Sequence, residues 1–232
     1  MNTTNGKSTV VMVHGAWADG SSWKPVIGLL QSRGVSTIAA PIPLTSLSDD
    51  VRALDRALER TSGPVVLVAH AYAGAVIGST KNDRVLGLVF ISALAPDEGE
   101  TVADVFYRGP PHPQAPQLAP DPHGFIWMPD SGFASAFAQD ASTEENALLA
   151  AVQRPINMAC IQEKAPEPLW KNVPSWYLVA KQDRMIHPKT QEFMALRMKA
   201  SIQRMDVDHT PIVTAPDKVV GLILAALTTI SR

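Results

Sequence analysis

Short apolar runs alternate with longer amphipathic segments along this chain, and turn-forming residues separate the two kinds. The apolar runs lie at 9–14, 35–40, 65–68, 85–91, 176–180 and 202–207. Most of them are rich in β-branched residues and lack polar alternation, which is typical of strands buried on both faces of a parallel sheet. The pattern therefore predicts a mostly parallel sheet of about six strands.

Helical signals occupy the segments between these runs. The predicted helices include about 23–33, 48–61 and 217–227. We expect Ser21 or Ser22 to cap the first helix and Gly34 to end it, because small polar residues favour N-caps and glycine favours the C-terminal end. Ser48 is expected to cap the second helix. The alternation of strands and helices predicts an α/β fold with helices on both faces of the sheet.

The stretch 97–171 breaks this rhythm, since it contains no apolar run that predicts a sheet strand. Its first half includes RGPPHPQAPQLAPDPHG, whose prolines oppose regular structure. Two helical segments follow, one near 133–139 and one that begins at Ser142, where Glu145 completes a capping box. We expect one domain over 1–232, with this stretch as a small helical cap at the carboxyl edge of the sheet, where open α/β sheets bind ligands.

Composition and charge narrow the possible partners. The 232 residues suit one domain, and a hydrophobic content of 46% with 18% charged residues is typical of a globular protein. The formal net charge is −2 without a basic patch, so we expect no nucleic-acid partner. The apolar runs are far shorter than the ~20 residues that span a bilayer. Residues 1–7 are polar and lack a signal core, so we expect a cytoplasmic protein that does not contact membranes.

Metal and nucleotide chemistry lack sequence support. The single cysteine, Cys160, excludes an internal disulfide, and the six histidines show no metal-ligand spacing. The chain contains neither GxGxxG nor GxxxxGK[ST]. We therefore expect no cofactor and no metal, with a small molecule as partner and either a monomer or a homodimer as the assembly.

Three segments carry candidate chemistry, and the first is VVLVAHAYAGAV at 65–76. A strand leads through a turn of small residues into a helix, which is the context of a nucleophile elbow. Ala71 holds the position that a nucleophile would take, so an ordinary strand-to-helix turn is an equally good interpretation of this segment alone. The second segment is VMVHGAW at 11–17, where a loop after the first strand could supply a backbone N–H to an oxyanion hole. Alternatively, this loop only connects the first strand to the first helix.

The third segment is a pair of strand ends. SWYLVAKQD ends near Asp183 and IQRMDVDH ends near His209, with one helix-sized connection between them. In a parallel sheet both side chains lie at the carboxyl edge, where a carboxylate can hold the tautomer of a histidine. Taken alone, Asp183 could instead cap the helix near Pro188, and His209 could be a loop histidine. The order of nucleophile position, acid and base favours catalysis, since each follows a predicted strand.

With these segments the chain resembles the α/β-hydrolase superfamily, and more closely the small esterases related to plant methylesterases and hydroxynitrile lyases. The resemblance covers nearly the whole chain and rests on VHGAW at 13–17, Trp23, AHAYAGAVI at 69–77, VLGLVFISALAPDEGE at 85–100, PSWYLVAKQD at 174–183 and the segment around His209. It implies an α/β-hydrolase fold with Ala71 at the serine position, His209 as base and Asp183 as acid. It also implies oxyanion donors at Ala16 and Tyr72.

Many relatives read HSYGG or HSYAG where this chain has HAYAG, so the departure is one side-chain oxygen. Ala71 is explained either by a deliberate serine replacement or by a natural pseudo-hydrolase that binds a ligand without turnover, and we favour the first. Hydroxynitrile lyases of this group tend to carry a threonine in the oxyanion loop and a lysine after the base. Gly15, Ala16 and Thr210 therefore favour hydrolysis of an ester or lactone, while carbon–carbon bond cleavage stays open.

Further positions are weaker candidates. Ser92 is a possible nucleophile without an elbow around it, and Asp97 is a possible alternative acid. We expect His14 and His70 to orient the oxyanion segments. The residues predicted to contact an apolar substrate are Gly15, Trp17, His70, Phe125, Trp127 and Met128. Aromatic cap residues could equally well serve only to hold the cap on the sheet.

Overall fold

A parallel sheet forms the centre of the protein, described from a computed structural model over residues 8–230. The polar segment 1–7, on which the expectation of no signal core rested, lies outside the described residues. The sheet contains β1 (Thr9–Val13), β2 (Ser36–Ala40), β3 (Val65–His70), β4 (Val85–Ile91), β7 (Ser175–Ala180) and β8 (Ser201–Met205), while β5 (Phe125–Ile126) and β6 (Ile156–Asn157) pair separately. The order is β2-β1-β3-β4-β7-β8, with every neighbouring pair parallel. The prediction of about six mostly parallel strands is confirmed.

Helices cover both faces of this sheet, as predicted. They are α1 (Lys24–Gln31), α2 (Leu47–Leu58), α3 (Ala73–Ser79), α4 (Val102–Phe106), α5 (Asp130–Gly132), α6 (Thr143–Val152), α7 (Met158–Gln162), α8 (Pro188–Arg197), α9 (Pro211–Thr214) and α10 (Pro216–Ile230). Successive strand residues point to opposite faces. Val10 and Met12 accordingly pack in the core that contains α1 and α10, whereas Val11 and Val13 pack in the core that contains α2 and α3. Among the helices described, none has the length and hydropathy needed to cross a bilayer.

Two predicted N-caps are wrong. The N-cap of α1 is Trp23, without a side-chain hydrogen bond, because Ser21 and Ser22 lie inside the short 3-10 helix Gly20–Trp23 that precedes α1. Asp19 caps that 3-10 helix, since its Oδ1 accepts the N–H of Ser21 at 2.8 Å. Ser46 caps α2 by accepting the N–H of Asp49 at 3.0 Å. Ser46 has the extended backbone that a cap requires, while Ser48 already lies inside the first helical turn.

The stretch 97–171, called the cap below after its predicted role, contains more regular structure than its sequence suggests. Ser142 and Glu145 make the predicted capping box at the start of α6. A π-helical turn at Phe133–Phe137 follows α5 where a helix was predicted. This stretch contributes no strand to the parallel sheet, as expected, but it contains β5 and β6, which pair antiparallel with each other. Strands of two residues are too short to produce a pattern in the sequence.

Candidate active site

The turn between β3 and α3 has the geometry of an elbow. Ala71 has φ of 51°, in the left-handed region that non-glycine residues rarely adopt. Its carbonyl accepts the N–H of Leu94 at 2.9 Å and that of Gly74 at 3.2 Å, so the turn is held from the loop after β4 as well as from α3. Strain of this kind, where the surroundings maintain it, marks candidate functional positions.

Two glycines let neighbouring segments approach this turn closely. A Cβ on Gly15 would lie 2.9 Å from the Cβ of Ala71, and a Cβ on Gly74 would lie 2.3 Å from the carbonyl oxygen of Leu94. Real Cβ atoms do not make contacts that short. Gly15 is therefore not a substrate-contacting residue as predicted; it lies against the elbow and is absent from the cavity lining.

His209 and Asp183 form a buried pair at the ends of β8 and β7. Nδ1 of His209 lies 2.8 Å from Oδ2 of Asp183. Asp183 also accepts the backbone N–H groups of Met185 and Ile186 at 2.7 and 2.8 Å and a side-chain N–H of Gln191 at 2.7 Å. These bonds fix the carboxylate, which in turn holds the proton of His209 on Nδ1 and leaves Nε2 free to act as a base.

The competing interpretation of Asp183 as a helix cap is wrong. The side chain of His187 caps α8 by accepting the N–H of Lys189 at 3.1 Å. His209 lines a cavity together with Ala71, and its Nε2 has no hydrogen-bond partner among residues 8–230. Nε2 of His209 can therefore accept a proton from a group that is bound in the cavity beside residue 71.

Two further buried histidines form hydrogen bonds with backbone carbonyls next to the site. Nε2 of His70 donates to the carbonyl oxygen of His209 at 2.8 Å, and burial lowers the pKa of His70 to about 3, so this ring is neutral. Burial also lowers the pKa of His14 to about 4. His14 donates from Nδ1 to the carbonyl of Gly15 at 3.0 Å. His70 does not line the cavity as predicted but holds the backbone of the base.

Ala16 and Tyr72 present unpaired backbone N–H groups to the cavity. Both residues line it and are 5% and 3% exposed, and neither N–H donates a hydrogen bond within the described part of the chain. A buried N–H without a partner is costly, and it becomes satisfied when an oxygen of a ligand arrives. Unpaired backbone N–H groups beside one cavity are the type of donor that an oxyanion hole uses.

Trp17 ties the oxyanion loop to the cap. Its backbone has φ of 56°, its N–H donates to the carbonyl of Arg154 at 3.0 Å, and its indole N–H donates to the carbonyl of Ile126 at 2.9 Å. Its ring lines the cavity, as predicted for a substrate-contacting residue, and meets Phe137 edge to face. The residue next to Ala16 is thus held by two hydrogen bonds to the stretch 97–171.

The cavity has an empty volume of about 640 Å³ that includes space open to solvent, and its wall is mostly apolar. The described residues that line it are Ala16, Trp17, Ala71, Tyr72, Leu94, Val102, Ala103, Phe106, Tyr107, Leu118, Ile126, Phe137, Ile156, Ile161, Met185, Ile186 and His209. None is an aspartate, glutamate, lysine or arginine. This lining suits a neutral, apolar ligand of small size.

Three predicted substrate contacts are placed elsewhere. Ile126 lines the cavity, and its neighbours Phe125 and Trp127 do not, because side chains alternate along an extended segment. Trp127 is 51% exposed. Met128 is buried inside the cap against Phe133 and its neighbours rather than in the cavity wall.

Helix α4 supplies a wall that the sequence analysis missed. Val102, Ala103, Phe106 and Tyr107 all line the cavity, with spacings of three and four residues that are typical of one helical face. The same spacing is visible in the sequence TVADVFY and could have indicated this face. The weaker candidates are not part of the wall, since Ser92 is buried elsewhere and Asp97 pairs with Lys171 at 2.6 Å.

Residues 8–230 contain no cluster of three or more histidine, cysteine, aspartate or glutamate side chains that could hold a metal.

Comparison with known proteins identifies the family of this chain. Residues 10–222 match the sequence model of the alpha/beta hydrolase family. No curated protein matches the sequence at a significant level.

Solved structures with the same fold cover almost the whole chain. A histidine-to-alanine variant of polyneuridine aldehyde esterase has a TM-score of 0.80 at 18% identity, covering 94% of this chain and 98% of its own. A pyrethroid hydrolase from Sphingobium faniae has a TM-score of 0.80 at 19% identity, covering 95% and 98%. A histidine-to-alanine variant of tomato methylketone synthase I, complexed with β-ketoheptanoate, has a TM-score of 0.82 at 16% identity, covering 97% and 99%.

Proposed function

The chain belongs to the alpha/beta hydrolase family, and we propose that it is a hydrolase scaffold for small apolar carboxylic esters or lactones in which Ala71 stands in place of the nucleophilic serine. One observation carries this proposal. Ala71 keeps the left-handed turn of an elbow, although alanine gains nothing from it, and lies in the same cavity as His209 and the free N–H groups of Ala16 and Tyr72.

A serine at position 71 would complete a nucleophilic mechanism. His209 would accept the hydroxyl proton while the serine oxygen attacks the carbonyl carbon, and the N–H groups of Ala16 and Tyr72 would stabilise the oxyanion. Collapse of this intermediate would expel the alcohol, which takes the proton from His209, and water would then release the acid from the acyl-enzyme. Ala71 has no oxygen for the first step, so we expect this chain to be slower by about 10⁴- to 10⁶-fold.

The cavity supports a neutral substrate. Its described wall carries no lysine or arginine that could pair with an anionic group, and His209 is its only basic side chain. A carboxylate in such a wall would lose part of its hydration without gaining a lysine or arginine as partner. An esterase and a pyrethroid hydrolase among the structural neighbours are consistent with this class.

Turnover of a panel of short-chain p-nitrophenyl esters and one aromatic lactone tests the proposal. We expect Ala71→Ser to hydrolyse at least one of them and the unmodified chain to hydrolyse none at a comparable rate. Ala73→Ser is the matched control, because it places the same hydroxyl two residues away, at the start of α3. An inert Ala71→Ser protein that binds panel esters would instead support a natural ligand-binding protein. Residue 71 of the parent gene then identifies the origin of the alanine.

A second candidate function needs no nucleophile. The elbow, the base and the oxyanion donors are all present without an oxygen at residue 71, and one neighbour is a methylketone synthase bound to a β-keto acid. Loss of CO₂ from a β-keto carboxylate leaves an enolate, and a proton that water delivers to its carbon gives a methyl ketone. Ala16 and Tyr72 could stabilise the enolate oxygen, and an apolar wall favours departure of the carboxylate as neutral CO₂. Release of CO₂ from β-ketoheptanoate by the unmodified chain tests this candidate.

A further inference from the structure

Asp50 is a fully buried carboxylate that makes no ion pair with any residue of the described chain. It lies in the first turn of α2 and is 0% exposed. Its Oδ1 accepts the backbone N–H of Leu44 at 2.7 Å, and its Oδ2 accepts the hydroxyl of Tyr72 at 2.7 Å. The thiol of Cys160, on the cap helix α7, lies 3.7 Å from the same Oδ2. One carboxylate thus connects α2, the elbow and the cap.

Burial of a charge without a cationic partner is costly, and packing alone does not require it. A carboxylate is, however, a stronger hydrogen-bond acceptor than a neutral oxygen, so it fixes a donor more tightly. The donor here is the phenol of Tyr72. Burial raises the pKa of Tyr72 well above its ordinary value, so this hydroxyl keeps its proton and donates a hydrogen bond to Asp50.

Tyr72 is the residue directly after Ala71, and its backbone N–H, like that of Ala16, has no hydrogen-bond partner within the described part of the chain. Its side chain is anchored at the far end by Asp50, while its backbone leads into α3. A tyrosine anchored at both ends has little freedom to rotate about its backbone. The direction of its N–H is therefore set partly by a side chain on another helix.

We propose that Asp50 is a positioning residue for the oxyanion hole, acting through the hydroxyl of Tyr72. The inference rests on the proposed function, because it assigns a purpose to the N–H group that would stabilise the oxyanion. Asp50 itself is not among the residues that line the cavity, whereas Tyr72 is. Asp50 therefore acts on the cavity only through Tyr72.

The surroundings of Asp50 make this link sensitive to pH. Burial raises the pKa of Asp50 to about 6, and hydrogen bonds from Tyr72, Leu44 and Cys160 oppose the rise, while the nearby charge of Asp49 adds to it. Below that pH the carboxyl group gains a proton and one oxygen loses its strength as an acceptor. The bond to Tyr72 is therefore strongest above about pH 6.

The first test measures catalysis in the Ala71→Ser background with Tyr72→Phe, Asp50→Asn and the double variant. Tyr72→Phe keeps the ring and the backbone N–H and removes only the hydroxyl. We expect each single change to lower kcat about tenfold with KM nearly unchanged, and the double variant to lose no more than one single variant. Unchanged kcat, or losses that multiply, would overturn the proposal.

Asp55 offers a matched control on the same helix. Its Oδ1 accepts the hydroxyl of Thr80 at 2.6 Å, so it also links α2 to the end of α3, away from the elbow. Asp55→Asn should leave kcat unchanged. A loss of kcat in Asp55→Asn as large as that in Asp50→Asn would mean that any broken link to α2 has this effect, which contradicts a specific role of Asp50.

A second measurement does not depend on activity. The backbone amide resonance of Tyr72 in the unmodified chain should titrate with a midpoint near pH 6, and Asp50→Asn should abolish that titration. If Ala71→Ser is inert on esters while the titration is present, the proposed function fails and the link between Asp50 and Tyr72 stands. If Ala71→Ser is active while Asp50→Asn changes neither kcat nor the resonance, only the positioning role fails.

Discussion

Nε2 of His70 donates a hydrogen bond of 2.8 Å to the main-chain carbonyl of His209, so the residue before the elbow holds the backbone of the candidate base. The two rings lie 4.8 Å apart between their centroids. The end of β3 and the loop after β8 are separated in the chain by more than one hundred residues, and this one bond joins them. The position of the candidate base is therefore coupled to the elbow by a hydrogen bond.

Removal of the His70 donor should destabilise the protein. His70→Phe leaves the carbonyl of His209 buried without a partner, which costs about 1–3 kcal/mol of unfolding free energy. Urea denaturation followed by circular dichroism measures the loss. His123→Phe is the control, because this histidine lies exposed in the cap and should change stability by less than about 0.5 kcal/mol. Equal losses in both variants would contradict the structural role of His70.

Glycine-to-alanine substitutions at two positions should change the stability of the protein in opposite directions. Gly74→Ala would put a Cβ 2.3 Å from the carbonyl oxygen of Leu94, so we expect a loss of roughly 1–3 kcal/mol as the elbow shifts. Gly28→Ala lies in α1 with no atom within 4 Å of the added Cβ, so it should gain about 0.5–1 kcal/mol through helix propensity. Thermal denaturation of both variants checks the pair, and a stabilising Gly74→Ala would refute the close packing at the elbow.

Replacement of Asp183, the acid that pairs with His209, should lower the rate of catalysis and not only the stability of the protein. In the Ala71→Ser background, Asp183→Asn should lower kcat by about 10⁴-fold, because the amide cannot hold the His209 tautomer in the same way. Steady-state ester hydrolysis measures kcat and KM separately. Asp97→Asn is the control, since Asp97 pairs with Lys171. Comparable losses in the two variants would make Asp97 a partner in catalysis.

Stability should depend on pH through Asp50. Because burial raises the pKa of Asp50 to about 6, the folded protein binds a proton between pH 4 and pH 6 that the unfolded chain has already lost. The contribution of Asp50 to stability therefore falls as pH rises through this window, by on the order of 3 kcal/mol. The stability of Asp50→Asn relative to the unmodified chain should rise by a similar amount between pH 4 and pH 7. A difference that does not vary with pH would contradict a raised pKa.

The strands of the sheet and the pairing of Asp183 with His209 at its edge could both be predicted from the sequence. The β-branched runs lie within about two residues of the observed strand ends, because burial on both faces leaves a continuous apolar signal. Asp183 and His209 could be paired from sequence, since adjacent parallel strands bring their carboxyl ends to one edge. The pairing follows once the two strands are known to be parallel and adjacent.

The cavity wall could not be derived in the same way. Ile126 faces the cavity and Trp127 does not because β5 pairs with β6, and the partner residues Phe125 and Asn157 are 32 positions apart in sequence. No local pattern specifies that pairing. The link between Asp50 and Tyr72 is also invisible in sequence, where Asp50 has the ordinary appearance of an acidic residue in the first turn of a helix.

Covalent labelling by a fluorophosphonate shows whether residue 71 lies in a site that activates a serine, because the probe reacts with such a serine whatever the natural substrate is. We expect Ala71→Ser to be labelled on the peptide that contains residue 71, and the unmodified chain and the Ala71→Ser, His209→Gln double variant to stay unlabelled. A folded Ala71→Ser protein that resists labelling would contradict the proposed function, since the elbow, His209 and the oxyanion donors would then not form a site that activates a serine.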